Sequence, residues 1–77
     1  MMERDIENIL KDIVQVDYVV HDGHAIFVKF STPHLTQRVM DDIKGLLSPL
    51  GFASEISSLS TQTTIEGTSD VVILKIF

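Results

Sequence analysis

The stretch Ser31-Thr32-Pro33-His34-Leu35-Thr36-Gln37-Arg38-Val39-Met40-Asp41-Asp42-Ile43-Lys44-Gly45-Leu46-Leu47-Ser48-Pro49-Leu50-Gly51 decides the fold. Ser31 and Thr32 can each cap orphan amides, and Pro33 stands where a first helical turn tolerates proline. Leu35, Val39, Met40, Ile43, Leu46, Leu47 and Leu50 recur at steps of three and four. That spacing predicts a helix from Pro33 to about Ser48, with an apolar stripe wide enough to cover a sheet. Arg38, Asp41, Asp42 and Lys44 fall on the opposite, solvated side. No other segment is both long and apolar enough to back a small core.

Upstream, residues 3–13 read as a shorter amphipathic helix. Met2, Ile6, Ile9, Leu10 and Ile13 share one face, and Glu3, Asp5 and Glu7 load the first turns, where the helix dipole favours anions. Val14 to Val20 then alternates as a strand, with Val14, Val16, Tyr18 and Val20 on one side. A second strand runs from His24 or Ala25 to Phe30, its apolar set being Ile26, Val28 and Phe30. Burial selects the turn between them. An Asp22-Gly23 loop would put the two apolar sets on opposite faces. A loop of His21-Asp22-Gly23 instead pairs Val20 with His24, Tyr18 with Ile26, Val16 with Val28 and Val14 with Phe30, so both sets share one face. Gly23 would then be left-handed in a bulge.

Downstream, Gly45 inside the long helix is read as a point of close packing against the first one. Phe52 to Ser58 is a third strand near an edge, and residues 59–70 form a polar connection in which Thr63 to Ile65 can extend the pairing. Glu66-Gly67 and Ser69-Asp70 within it carry turn chemistry. Val71 to Phe77 is a nearly continuous apolar strand, which predicts a central position or a covered second face. The expected architecture is α+β: a two-layer sandwich of order αββαββ, with a four-stranded antiparallel sheet and both helices on one face. The repeated order suggests a duplicated unit, and 77 residues make one domain, 1–77.

Composition removes several functions. A chain this short buries only about 60–65% of its unfolded surface, and its 44% hydrophobic content compensates without an obligatory metal or disulfide. There is no cysteine, which rules out thiol chemistry and thiolate zinc sites and fits a reducing compartment. The net charge is −5, with six basic residues scattered along the chain. Nucleic-acid binding, which rests on phosphate neutralisation, is not expected. No apolar run approaches the ~20 residues that span a bilayer, so direct membrane insertion is not expected either. Met1-Met2-Glu3-Arg4-Asp5 does not resemble a signal peptide, and a cytoplasmic location is expected.

No catalytic constellation stands out, and neither enzymatic activity nor a cofactor is expected. Asp41 and Asp42 are adjacent on a helix and diverge by about 100°. The serines and threonines of residues 57–64 lack a nucleophile-elbow pattern, and the four glycines are too far apart to cradle phosphate. His21-Asp22-Gly23-His24 is the one cluster with metal-ligand residue types, with His34 as a third ligand. A polar hairpin tip is its plainer reading; a metal-responsive or small-ligand-binding domain is the alternative.

The sheet face away from the helices is more informative. Val19, Phe27, Ile73 and Phe77 are assigned to it, an apolar patch of the kind that marks a partner surface. With −5 opposing self-association, the expectation is a monomer or weak homodimer, strengthened by salt, that binds another protein through this face.

Val16-Asp17-Tyr18-Val19-Val20, Asp22-Gly23, Ile26-Phe27-Val28, Leu47-Ser48-Pro49-Leu50-Gly51-Phe52 and Val72-Ile73-Leu74 together resemble a small soluble accessory module of site-2-protease-type membrane metalloproteases. The resemblance implies a regulatory or substrate-facing appendage. The family's His-Glu-x-x-His motif and membrane helices have no counterpart here, so no catalytic residue carries over.

Overall fold

The computed structural model describes residues 3–77. In chain order they form α1 (Glu3–Leu10), β1 (Gln15–Asp22), β2 (Ala25–Thr32), α2 (Gln37–Leu47), one 3-10 turn (Ser48–Leu50), β3 (Ser54–Thr64) and β4 (Gly67–Ile76). The strands make one antiparallel sheet in the order β1-β2-β4-β3. This is the αββαββ sandwich expected from the sequence, with the last apolar strand in a central position. The contribution expected of Met2 to α1, and that of the Glu3 side chain to its first turn, lie outside the described residues.

The core sits over the β2–β4 pair. Ile26 pairs with Ile76, Val28 with Leu74 and Phe30 with Val72, and all six are buried. Ile6 and Leu10 of α1 and Met40, Ile43 and Leu47 of α2 close over the same face. Burying a side chain of this size contributes about 1.5–3 kcal/mol, so this one cluster carries most of the stability a chain of this length can have.

The β1–β2 register differs from the expected one. The connection is the two-residue turn Gly23-His24, with Asp22 opposite Ala25, and Gly23 has φ +63° as expected. Continued without interruption, that register would place Asp17 opposite Phe30, a carboxylate in the core. The strand avoids this with a bulge between Val16 and Tyr18, so that Val16 faces Phe30 and Val19 faces Val28. Val16 and Val19 are therefore both helix-facing, while Tyr18 and Val20 are not.

Three further readings are corrected. Ser31 and Thr32 do not cap α2: β2 continues through Thr32, which is buried, and the cap is Thr36, whose Oγ1 accepts a hydrogen bond from the Val39 amide at 3.2 Å. Gly45 marks no close packing, because a Cβ added there meets nothing within 4 Å. Residues 59–70 are not a loop but the far end of a long hairpin, turned at Ile65-Glu66. Its many threonines suit a pleated strand, and Thr64 Oγ1 accepts from the Glu66 amide at 3.2 Å to set the turn.

The β1–β2 and β3–β4 hairpins repeat one register on either side of the β2–β4 seam. β3 bulges between Ile56 and Ser58, as β1 does between Val16 and Tyr18. The bulges stand 40 residues apart (57 − 17), and the strand residues facing them 44 apart (74 − 30). With those offsets every β1–β2 pair maps onto a β3–β4 pair; Val19–Val28, for example, becomes Leu59–Val72. The extra residues in the second half lengthen its hairpin beyond Gln62–Ser69.

Two substitutions test the local assignments in opposite directions. Thr36→Ala removes the cap and is expected to cost about 1 kcal/mol. The buried Ser54 hydroxyl has no hydrogen-bond partner among the described residues, so Ser54→Ala is expected to stabilise by up to about 1 kcal/mol. Urea denaturation midpoints at constant slope measure both.

Candidate functional site

The face of the sheet opposite the helices is built from alternate residues of every strand. Across it, Val20, Phe27, Lys75 and Glu55 form one row, and Tyr18, Lys29, Ile73 and Ser58 the next. Ser31 and Val71 pair in the row beyond. No helix covers this side, because α1 and α2 both contribute to the core on the other.

The face is apolar at its centre in spite of two lysines. Lys29 Nζ lies 5.9 Å from the Tyr18 ring centroid, and Lys75 Nζ lies 5.6 Å from that of Phe77. Each ammonium is thus held near the face of an aromatic ring. Phe27, Ile73, Lys29 and Lys75 are half-buried, whereas Tyr18, Val20 and Phe77 are 41%, 45% and 52% exposed. At one end Phe27, Lys75 and Phe77 join Asp22, His24 and Ala25 around a shallow depression of about 380 Å³.

Of the four residues expected on this face, Phe27, Ile73 and Phe77 are brought together there. Val19 is not: the Asp17 bulge turns it to the helix side, where it packs against the core. Tyr18 and Val20 take its place. With the Gly23-His24 turn a straight β1 would put Asp17 among buried apolar residues, and the bulge removes it from them.

The histidines do not converge. His24 lies in the β1–β2 turn and His34 beyond the other end of β2, a separation of roughly 25 Å at about 3.3 Å per strand residue. His34 stands instead 3.9 Å from Asp70 through Nδ1. Among the described residues no group of three His, Cys, Asp or Glu side chains could hold a metal ion. Asp70 has a structural task that its reading as turn chemistry missed. It lies in β4 opposite Thr32, and its Oδ2 accepts the Leu35 amide at 2.7 Å. It thereby fixes the loop that delivers α2.

Comparison with known proteins places this architecture. No family model and no curated protein matches the chain. A solved structure of the same fold is the crystal structure of the periplasmic domain of XcpY, with TM-score 0.66 and 17% sequence identity, covering 96% of this chain and 92% of that one. The chain therefore shares the XcpY periplasmic-domain fold over nearly its whole length. This corrects the cytoplasmic location expected from the sequence, since the solved domain is periplasmic. A chain without thiols is indifferent to redox poise, so the lack of cysteine is equally compatible with an oxidising compartment.

The two sheet faces differ in what they tolerate. Phe27→Ser is expected to leave the domain folded at a cost of about 1–2 kcal/mol. Phe30→Ser, three residues on and fully buried, is expected to unfold most of the population, losing more than about 3 kcal/mol. Near-ultraviolet circular dichroism and urea titration of the two variants distinguish them; equal losses would place Phe27 in a core.

Proposed function

We propose that this domain is a non-catalytic protein-interaction or regulatory module that works in the periplasm, with the open sheet face receiving a partner protein. The observation that carries the reading is the uncovered patch of Tyr18, Val20, Phe27, Ile73 and Phe77 crossed by Lys29 and Lys75. Apolar and aromatic area supplies affinity at such a surface, and the two ammonium groups select a partner that brings carboxylates to them. The likeness to a periplasmic domain supports the compartment. The appendage role implied by the site-2-protease resemblance is of the same kind. No observation favours the metal-responsive alternative.

The test is carried out in cells that make the natural protein. A photo-crosslinking amino acid placed at Phe27 or Ile73 is expected to trap one discrete protein adduct in the fraction released by osmotic shock. The same probe at Thr63, on the hairpin arm, is expected to trap little. Adducts of equal strength at Thr63, none at either face position, or retention of the protein in the cytosolic fraction would each overturn the proposal.

A further inference from the structure

On the other side of the molecule, α1 and α2 enclose a groove of about 500 Å³. Ile9, Ile13 and Leu46 make it apolar, and Asp12, Asp41 and Asp42 surround it with carboxylates; among the described residues no basic side chain lines it. Asp41 accepts a hydrogen bond from Gln37 Nε2 at 2.9 Å. The carboxylates of Asp12 and Asp42 have neither an ion pair nor a hydrogen bond among the described residues. Leu46 is 40% exposed, so the apolar part of the groove is open to water.

Gly45 lines the same groove, and the fold gives no reason for it. It lies within α2, where glycine is a poorer helix former than alanine. It does not have a positive φ, and an added Cβ would meet nothing within 4 Å. Any better helix former therefore fits the isolated domain. A side chain at this position has consequences only for something lying in the groove, where its absence lets another backbone approach α2 closely.

We infer that the α1–α2 groove is a second docking site, and that its occupant is a basic amphipathic helix of a partner protein. A third helix lies naturally between two others, placing an apolar face on Ile9, Ile13 and Leu46 with anchors at helical spacing. Its flanking Lys or Arg side chains extend along the walls to Asp12 and Asp42. The −5 charge of the chain draws such a segment in from solution and repels an acidic one. The inference is independent of the sheet-face reading: the two sites lie on opposite sides of the molecule and differ in charge.

The test uses a synthetic amphipathic helix of Leu and Lys, about five turns long, and its Leu and Glu counterpart, titrated into the ¹⁵N-labelled protein at low salt. The Leu/Lys peptide is expected to bind with amide shifts confined to α1 and α2. Gly45→Gln leaves the net charge unchanged and improves helix propensity, yet is expected to weaken binding by about 10-fold. Asp12→Asn with Asp42→Asn is expected to weaken it by about 3–10-fold and to flatten its salt dependence. Phe27→Ser is expected to leave it unchanged. Absence of binding, undiminished binding by Gly45→Gln, equal binding of the Leu/Glu peptide, or shifts centred on Phe27 and Lys75 would each overturn the inference.

Discussion

The pairing of β2 with β4 is the constraint on which the other elements depend. It joins the two halves of the chain through Ile26–Ile76, Val28–Leu74 and Phe30–Val72, and it forms the surface against which both helices bury their apolar stripes. β1 and β3 are then flanking strands, each delivered by its own hairpin. Each must bring apolar residues to the same side as this central pair while carrying polar ones between them. The bulges at Asp17 and Ser57 meet that requirement, since each lets a polar residue leave the ladder just where it would otherwise face Phe30 or Leu74. Their equivalent placement shows one solution used in both hairpins.

The features of this fold that depend on averages over many residues were legible in the sequence. The α2 stripe, the alternation in β2 and the continuous apolar run of β4 led to the element order, the layer arrangement and most of the core. The features that turn on a single residue were not. Ser31, Thr32 and Thr36 are all competent caps, and only the pairing of Thr32 with Asp70 takes the first two out of contention. Gly23 signalled a turn without saying whether it stood first or last in it. The β1 phase shift follows from excluding Asp17 from the core, an argument about one carboxylate that strict alternation cannot express. The hairpin of β3 and β4 was hidden because Thr and Ser suit both loops and exposed strands.

The candidate site was legible to the same degree. Phe27, Ile73 and Phe77 follow from the period of their strands, and the structure brings them together. Val19 was lost to the bulge, with Tyr18 and Val20 gained from it. The helix-side groove was not legible, because Gly45 reads equally as tight packing or as open space until the neighbouring helix is placed. The result is a thin sandwich that presents a lysine-bearing apolar sheet on one side and an acid-rimmed groove on the other.

The β3–β4 hairpin is longer than its counterpart, and the side chains from Ser60 to Thr68 are all exposed. Backbone bonds and weak hydroxyl contacts such as Thr63 with Thr68 at 3.5 Å hold this arm, with no packed side chains to add to them. Opening it forfeits almost no buried apolar area, so its free energy of opening lies well below that of the whole domain. The arm is thus a separate cooperative unit, whose amides exchange with solvent long before those of Val28 or Leu74. The domain can reshape this end without disturbing its core.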